Sequence, residues 1–224
     1  ALVGTNWTIA GAGDFNEDGL DDLLWRESSG LVTIWNGTGG GFNSNTGFTM
    51  LVGNDWQIAG TGDFTGDGFD DVLWRNNDGT VTTWTGNGTD FNGTGFPAIA
   101  VGNDWQIAGT GDYTGDGFAD VLWRNSSGGV TFWAGTPDGF DNATGFSFAV
   151  GTDWQVTASG DFNGDNLEDI LWRNADGALT VWTGTGTGFT GTTGFYNVVD
   201  PSWQVAETGD YNGDGSDDVL WRHS

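Results

Sequence analysis

Five short acidic stretches hold the residue types able to do chemistry in this sequence. Each opens with an Asp, sets oxygen-bearing side chains at alternate positions and closes with an Asp at the ninth. The first has Asp14, Asn16, Asp18 and Asp22, with the main-chain carbonyl of Leu20 at position seven. The second has Asp63, Thr65, Asp67 and Asp71, with the carbonyl of Phe69. Then come Asp112, Thr114, Asp116 and Asp120 with Phe118, and Asp161, Asn163, Asp165 and Asp169 with Leu167. The last has Asp210, Asn212, Asp214 and Asp218, with Ser216. Calcium asks for six to eight oxygens at about 2.3–2.6 Å, and alternate positions of a tight loop turn theirs inward together.

The sixth position supports this reading. It is Gly19, Gly68, Gly117 and Gly215, which tolerate the left-handed turn that wraps backbone around an ion. In the fourth copy it is Asn166, the next best residue for positive φ. A single copy would read equally well as an Asp-Gly turn with solvated carboxylates. Five copies, each keeping Asp at positions one, five and nine, point to bound metal. Calcium is preferred to magnesium because an all-protein oxygen cage is large and flexible. The expectation is about one calcium ion per repeat, up to five. Thr65 and Thr114 are weaker ligands than Asn. The aromatic at position two (Phe15, Phe64, Tyr113, Phe162, Tyr211) faces away from the ion by alternation and is expected to anchor the loop in the core.

The elements that hold these loops follow from a 49-residue period. It is kept by Trp7, Trp56, Trp105, Trp154 and Trp203, and again by Trp25, Trp74, Trp123, Trp172 and Trp221. The repeats run about 1–49, 50–98, 99–147, 148–196 and 197–224, the last cut short, as one repeat domain over 1–224. Within the second copy, residues 57–64 form a small-residue first strand leading into the loop. Residues 72–75 leave it as a second strand. Asn77-Asp78-Gly79 is a turn signal, 81–84 a third strand and 96–101 a fourth. Val32 and Ile34 point to one face of the third strand, Thr33 and Trp35 to the other. Sheets apolar on both faces must be covered on both. The predicted fold is therefore an all-β β-propeller of four-stranded antiparallel blades, about five in number with the last incomplete. An open β-solenoid is the competing architecture. Residues 1–3 match only the end of a fourth strand, so the fifth blade lacks its third strand. It closes incomplete, belongs to a longer array, or takes strands from another chain.

Composition narrows the function. The net charge is −26, from 31 acidic and 5 basic residues, and all five basic residues are one repeated Arg (Arg26, Arg75, Arg124, Arg173, Arg222). Such a chain repels nucleic acid and anionic membrane. No apolar run is long enough for a membrane helix. Fourteen Trp are too many for a disordered acidic segment. There is no Cys, hence no disulfide or thiolate chemistry. The chain begins at Ala1 and is read as a mature or excised fragment.

The Asp-x-Asn/Thr-x-Asp-Gly-x-x-Asp core followed by Leu-Trp-Arg resembles the FG-GAP / VCBS repeat family, copy by copy across the chain. That resemblance implies a calcium-stabilised propeller of the kind seen in integrin α-subunits and a fungal lectin, used for adhesion or ligand binding and often attached to another domain. The chain departs from it in having four and a half copies where integrin-like rings have seven, and in lacking a clear Phe-Gly…Gly-Ala-Pro signature. Ring size and partner are not carried over.

The remaining conspicuous residues read as follows. Indole faces suit sugars, and Trp7, Trp56, Trp105, Trp154 and Trp203 are the candidate ligand-binding set; the plainer reading is that recurrent Trp are wedges between blades. The repeated Arg is expected to pair with a nearby carboxylate more readily than to grip an anionic ligand. His223, the only His, is expected to fray and supports no catalysis. No acidic residue stands out as a unique glycosidase site. Six Asn-x-Ser/Thr triplets, Asn6 and Asn36 among them, match the glycan acceptor pattern and arise easily in so Asn- and Thr-rich a chain. The expected function is a secreted, calcium-stabilised binding or adhesion module, lectin-like with carbohydrate as leading ligand, or binding another protein. Millimolar extracellular calcium suits loops of modest affinity. Alternatives are an assembly subunit that self-associates through the incomplete blade, or a non-catalytic domain of a larger secreted enzyme.

Overall fold

In every repeat a strand starts at the Trp that opens the period. The computed structural model describes residues 3–93, 95–144 and 146–224, the side chains of 192–195 excepted. Residues 1 and 2, assigned above to the end of a fourth strand, lie outside the described residues. The first strands are Trp7–Gly13, Trp56–Gly62, Trp105–Gly111, Trp154–Gly160 and Trp203–Gly209. The second strands are Asp22–Glu27, Asp71–Asn76, Asp120–Asn125, Asp169–Asn174 and Asp218–His223. Each pair is antiparallel and joined by the acidic loop. The register slips at one place in all five pairs, between Ile9 and Gly11, Ile58 and Gly60, Ile107 and Gly109, Val156 and Ala158, and Val205 and Glu207. A bulge of this kind sets two residues against one and sharpens the local twist just before the loop.

The third strands are Leu31–Thr38, Thr80–Gly86, Gly129–Thr136 and Ala178–Gly184. The turn before the second of them ends in Gly79 at φ 93°, where an added Cβ would stand 2.1 Å from the carbonyl oxygen of Val101. Only Gly fits such a turn.

The fourth strand differs from expectation. In place of one strand over 96–101 there are two short pieces, Phe91–Asn92 against Thr85–Gly86 and Ile99–Ala100 against Thr80–Val81. Phe91 and Phe96 are both buried and draw the two ends inward, and Gly95 N–H donates to the Thr83 carbonyl at 3.1 Å. Phe96 N–H donates to the Thr83 hydroxyl instead of to a strand carbonyl. In the fourth repeat the strand is continuous, Phe189–Val198, with a register slip. Three sheets thus have five strands, the fourth has four and the last two, and no helix forms among the described residues.

The chain gathers into two compact units, residues 1–103 with 136–139, and residues 104–135 with 140–224. In the first, Leu24, Val32 and Ile34 of repeat one share a core with Val72, Trp74 and Phe91 of repeat two. In the second, Leu122, Val130 and Phe132 of repeat three share a core with Ile170 and Trp172 of repeat four. Leu171, Leu179 and Val181 of repeat four then pack against Val205, Val219 and Trp221 of repeat five. The repeat-four sheet is thus covered on both faces, at about 1.5–3 kcal/mol for each fully buried large apolar side chain. The first strands approach closely. Thr61 donates its hydroxyl to the Ala12 carbonyl at 2.8 Å, and a Cβ on Gly11 would stand 2.8 Å from the Thr61 methyl. That is why these strands are built from Gly, Ala and Thr.

The repeated Arg does not do what charge alone suggested. Arg124 donates to the main-chain carbonyls of Gly151 and Trp154 in the next repeat, at 2.8 and 2.6 Å. Its guanidinium lies 5.0 Å from the ring centre of Trp172. Arg26 treats Gly53, Trp56 and Trp74 the same way, and Arg173 donates to Val199, Asp200 and Trp203 beside Trp221. A planar fork that both stacks and donates in its plane suits carbonyls lying beside an indole. Arg124→Ala is therefore expected to cost about 2–4 kcal/mol, from a lost stack and stranded carbonyls. A melting curve in calcium should show it as a drop of several degrees. An unchanged curve would leave the clasp without a role in stability.

Candidate metal centre

Each acidic loop is folded by its first residue. The Asp63 carboxylate accepts main-chain N–H groups from Gly66 (2.6 Å), Asp67 (3.2 Å) and Gly68 (2.9 Å). Asp112, Asp161 and Asp210 each gather the same three amides, and Asp14 gathers those of Asp18 and Gly19. The fifth residue adds a tighter turn inside, Asp67 accepting from Phe69 N–H at 3.1 Å. Position six is left-handed in all five loops, Asn166 included at φ 65°. Position four is left-handed too, a demand not read from the sequence. It is Gly66, Gly115, Gly164 and Gly213, but Glu17 at φ 60° in the first loop.

The ninth residue closes the loop from inside the protein. Asp22, Asp71, Asp120 and Asp169 are fully buried. Asp71 accepts Phe64 N–H at 3.0 Å with one oxygen and Gly86 N–H at 2.9 Å with the other. It therefore binds the loop to the end of the third strand. Gly37, Gly135 and Gly184 serve the other three repeats, and sequence reading passed over all four. Their signal was present, since a Gly stands at this place in every repeat long enough to have it. Asp218 differs. It is half-buried and takes the Asn212 amide.

Burial pushes the Asp71 and Asp120 carboxyls up to about 7 and Asp169 to about 6, against the pull of their two amides. The charges at positions one and five of the same loop push in the same direction. Asp22 is raised, again chiefly by burial. Asp210, fully exposed, is held low by the amide of Gly215.

The position-three side chains stand beside these carboxylates. Asn16, Asn163 and Asn212 turn their amide N–H groups toward the ninth Asp at 3.2–3.3 Å. Thr114 donates to Asp112 at 3.4 Å. Thr65 has its hydroxyl buried with no hydrogen-bond partner. Among the described residues no three Asp, Glu or His side chains are drawn together as a finished ion cage. The donor set nonetheless fits a hard cation. It is all oxygen, and an Asp carboxylate offers about four lone-pair sites, of which the amides take three. The buried Thr65 oxygen lacks a partner. The chain has no Lys, and Arg26, Arg124 and Arg173 are committed to main-chain carbonyls, so these three supply no countercharge to the buried ninth carboxylates.

The position-two aromatics anchor the loops as expected in four repeats. Phe15, Phe64 and Tyr113 are buried and Phe162 packs at the edge of a core, but Tyr211 is 56 % exposed. The candidate ligand-binding Trp residues are not equivalent. Trp56 and Trp154 pack against the cores of the two units, and Trp105 is half-buried. Trp7 lines a cavity of about 230 Å³ with Val3, Gly4, Trp25, Thr33 and Trp35. Trp203 is exposed and meets His223 edge-on at 5.1 Å. His223 is accordingly not frayed; it closes the second strand opposite Trp203.

Loops of this design, set between bulged and paired strands, recur in known sequences. FG-GAP-like repeats match four times, over residues 14–74, 63–123, 112–172 and 161–221. The chain belongs to the FG-GAP-like repeat family. Each matched FG-GAP-like segment starts at position one of a loop and ends at the second-strand Trp of the next repeat, so it spans two consecutive loops. No curated protein matches the chain. Among solved structures it is similar to BBS1N in complex with ARL6DN. The mercury-soaked crystal gives a TM-score of 0.54 at 14 % identity over 93 % of this chain and 59 % of that one. The lead-soaked crystal gives 0.50 at 14 % identity over 93 % and 58 %. Sqt1 of Saccharomyces cerevisiae follows at 0.45 and 12 % identity, over 80 % and 47 %. The chain thus spans under three-fifths of the length of the structures it matches. At such identity the likeness is one of fold: an all-β array of propeller-like blades.

Proposed function

We propose that this chain is a calcium-stabilised binding module of the extracellular space, working by presenting surfaces and not by catalysis. The observation that carries it is the buried ninth Asp, repeated in four loops, which feels the charges of two further carboxylates of its own loop. In the second loop Asp63, Thr65, Asp67, Asp71 and the Phe69 carbonyl would hold the ion, and the corresponding residues the others. The ion supplies the positive charge that the chain lacks and locks the first strand to the second and third. Millimolar calcium, as found outside cells, suits loops of this type.

Protein is the ligand class favoured here. The similar BBS1N was crystallised in complex with ARL6DN, and that fold likeness supports the reading. Carbohydrate remains the reading for Trp7 and its cavity. A glycan array probed in calcium distinguishes them: binding lost in Trp7→Ala would replace protein with sugar as the ligand, and an empty array leaves protein. A second reading, assembly, has its own support. Ile9 is 56 % and Leu220 49 % exposed, although Leu24, Leu73 and Leu122, which match Leu220, are fully buried. Sedimentation of a strict monomer at high concentration would remove it.

A further inference from the structure

Every loop but the first and third reaches back to the loop before it with an acidic residue at position eight. Asp70 N–H donates to the Asp14 carbonyl at 3.0 Å, and Asp14 N–H donates back to the Asp70 carboxylate at 2.9 Å. Asp217 and Asp161 make the same double bond, at 2.7 and 3.0 Å. Glu168 N–H donates to the Asp112 carbonyl at 3.2 Å, with its side chain against Gly111. The residues reached, Asp14, Asp112 and Asp161, are position one of the earlier loop, the residue that folds it. The residues reaching are chain neighbours of the buried ninth Asp of the later loop.

Two features make this clasp specific. A Cβ on Gly13 would stand 2.0 Å from the Asp70 carboxylate, and one on Gly160 2.6 Å from that of Asp217. The Gly that precedes these loops leaves room for the next repeat's carboxylate. The clasp also joins like charges, since Asp70 feels Asp63, Asp21 and Asp14. A cation in either loop relieves the repulsion on the carboxylate they share. Repeat three has Ala119 at position eight and brings no carboxylate to this role.

We propose that the position-eight carboxylates couple cation binding between neighbouring loops, so that loops one and two, and loops three to five, fill as linked sets. This rests on the calcium reading above. Two sites that share a hydrogen-bonded carboxylate cannot be ordered independently, because fixing position one of the earlier loop fixes position eight of the later one. Coupling between sites is a free energy, and it acts equally in both directions.

Calorimetric titration of the full chain with calcium tests it, comparing wild type with Asp70→Ala, Asp217→Ala and, as a matched charge change in the turn between the second and third strands, at the other end of the second strand from the loop, Asp176→Ala. The wild-type isotherm should be steeper than that of independent sites. Asp70→Ala should flatten it and weaken the paired sites by about fivefold, the low end of site-to-site coupling. Asp176→Ala should leave it unchanged. If Asp70→Ala does not fold, Asp217→Ala reads the same effect at the half-exposed last loop. Calcium binding with equal slope and midpoint in wild type and both loop variants overturns the coupling and leaves the calcium reading intact. No calcium binding by wild type overturns both.

Discussion

Chelating calcium at neutral pH should lower the melting temperature by more than about 10 °C. An ion that binds only the folded chain adds about 2.7 kcal/mol per site when its concentration is a hundred times its dissociation constant. For a chain of this size each kcal/mol moves the midpoint by about 2–4 °C. One occupied loop is therefore worth about 5–10 °C, and several exceed the threshold. The physical source is the set of buried ninth carboxylates, whose ionised form a cation stabilises in a chain that has no Lys. Magnesium should restore little of the loss, because it dehydrates reluctantly and demands tighter geometry. Matching curves in calcium and in chelator would show that the loops are plain turns.

Asp71→Ala should be the most damaging single change in a loop. It strands two buried amides, Phe64 N–H and Gly86 N–H, each worth about 1–3 kcal/mol when left unpaired. It also opens a cavity where the loop meets the third strand. The expected cost is about 2–5 kcal/mol even in chelator, with the loss of one calcium site added in calcium. The pH dependence gives this prediction a sign. Burial raises the folded carboxyl from 3.8 to about 7, so the folded state binds its proton more tightly than the unfolded state. In chelator that stability is fully present below 3.8 and is lost as pH rises through 7. The gap between wild type and Asp71→Ala should therefore be wider at pH 5.5 than at pH 8 without calcium. With calcium the order reverses, because protons compete for the same oxygens. A gap independent of pH in both conditions would show that Asp71 carries no unusual charge cost.

The fold is legible where a residue type has one physical use. Recurrent Trp set the period, the acidic loop marks the first turn of each blade, and Asn77-Asp78-Gly79 marks the second. The fourth strand is not legible, because Gly, Asn and Thr carry no period of their own. There the buried Phe91 and Phe96 decide where the chain turns back. The Arg failed for another reason. In an acidic chain a carboxylate partner is the obvious guess, but no sequence pattern tells that the Trp172 ring and the Trp154 carbonyl lie side by side. Within the candidate site the oxygen donors and position six are plain from spacing. Gly86 and the clasp from Asp70 are not, since both depend on which strands and repeats become neighbours.

Counting the calcium ions held by the purified chain reaches the central claim most directly. Metal-free protein would be titrated with calcium by calorimetry at neutral pH, with the stoichiometry read from the isotherm. Five ions per chain are expected, or four if the half-exposed loop of Asp218 is too open to hold one. In Asp67→Ala the count should fall by one. A stoichiometry of zero in the wild type, with the protein folded, would contradict the calcium reading outright.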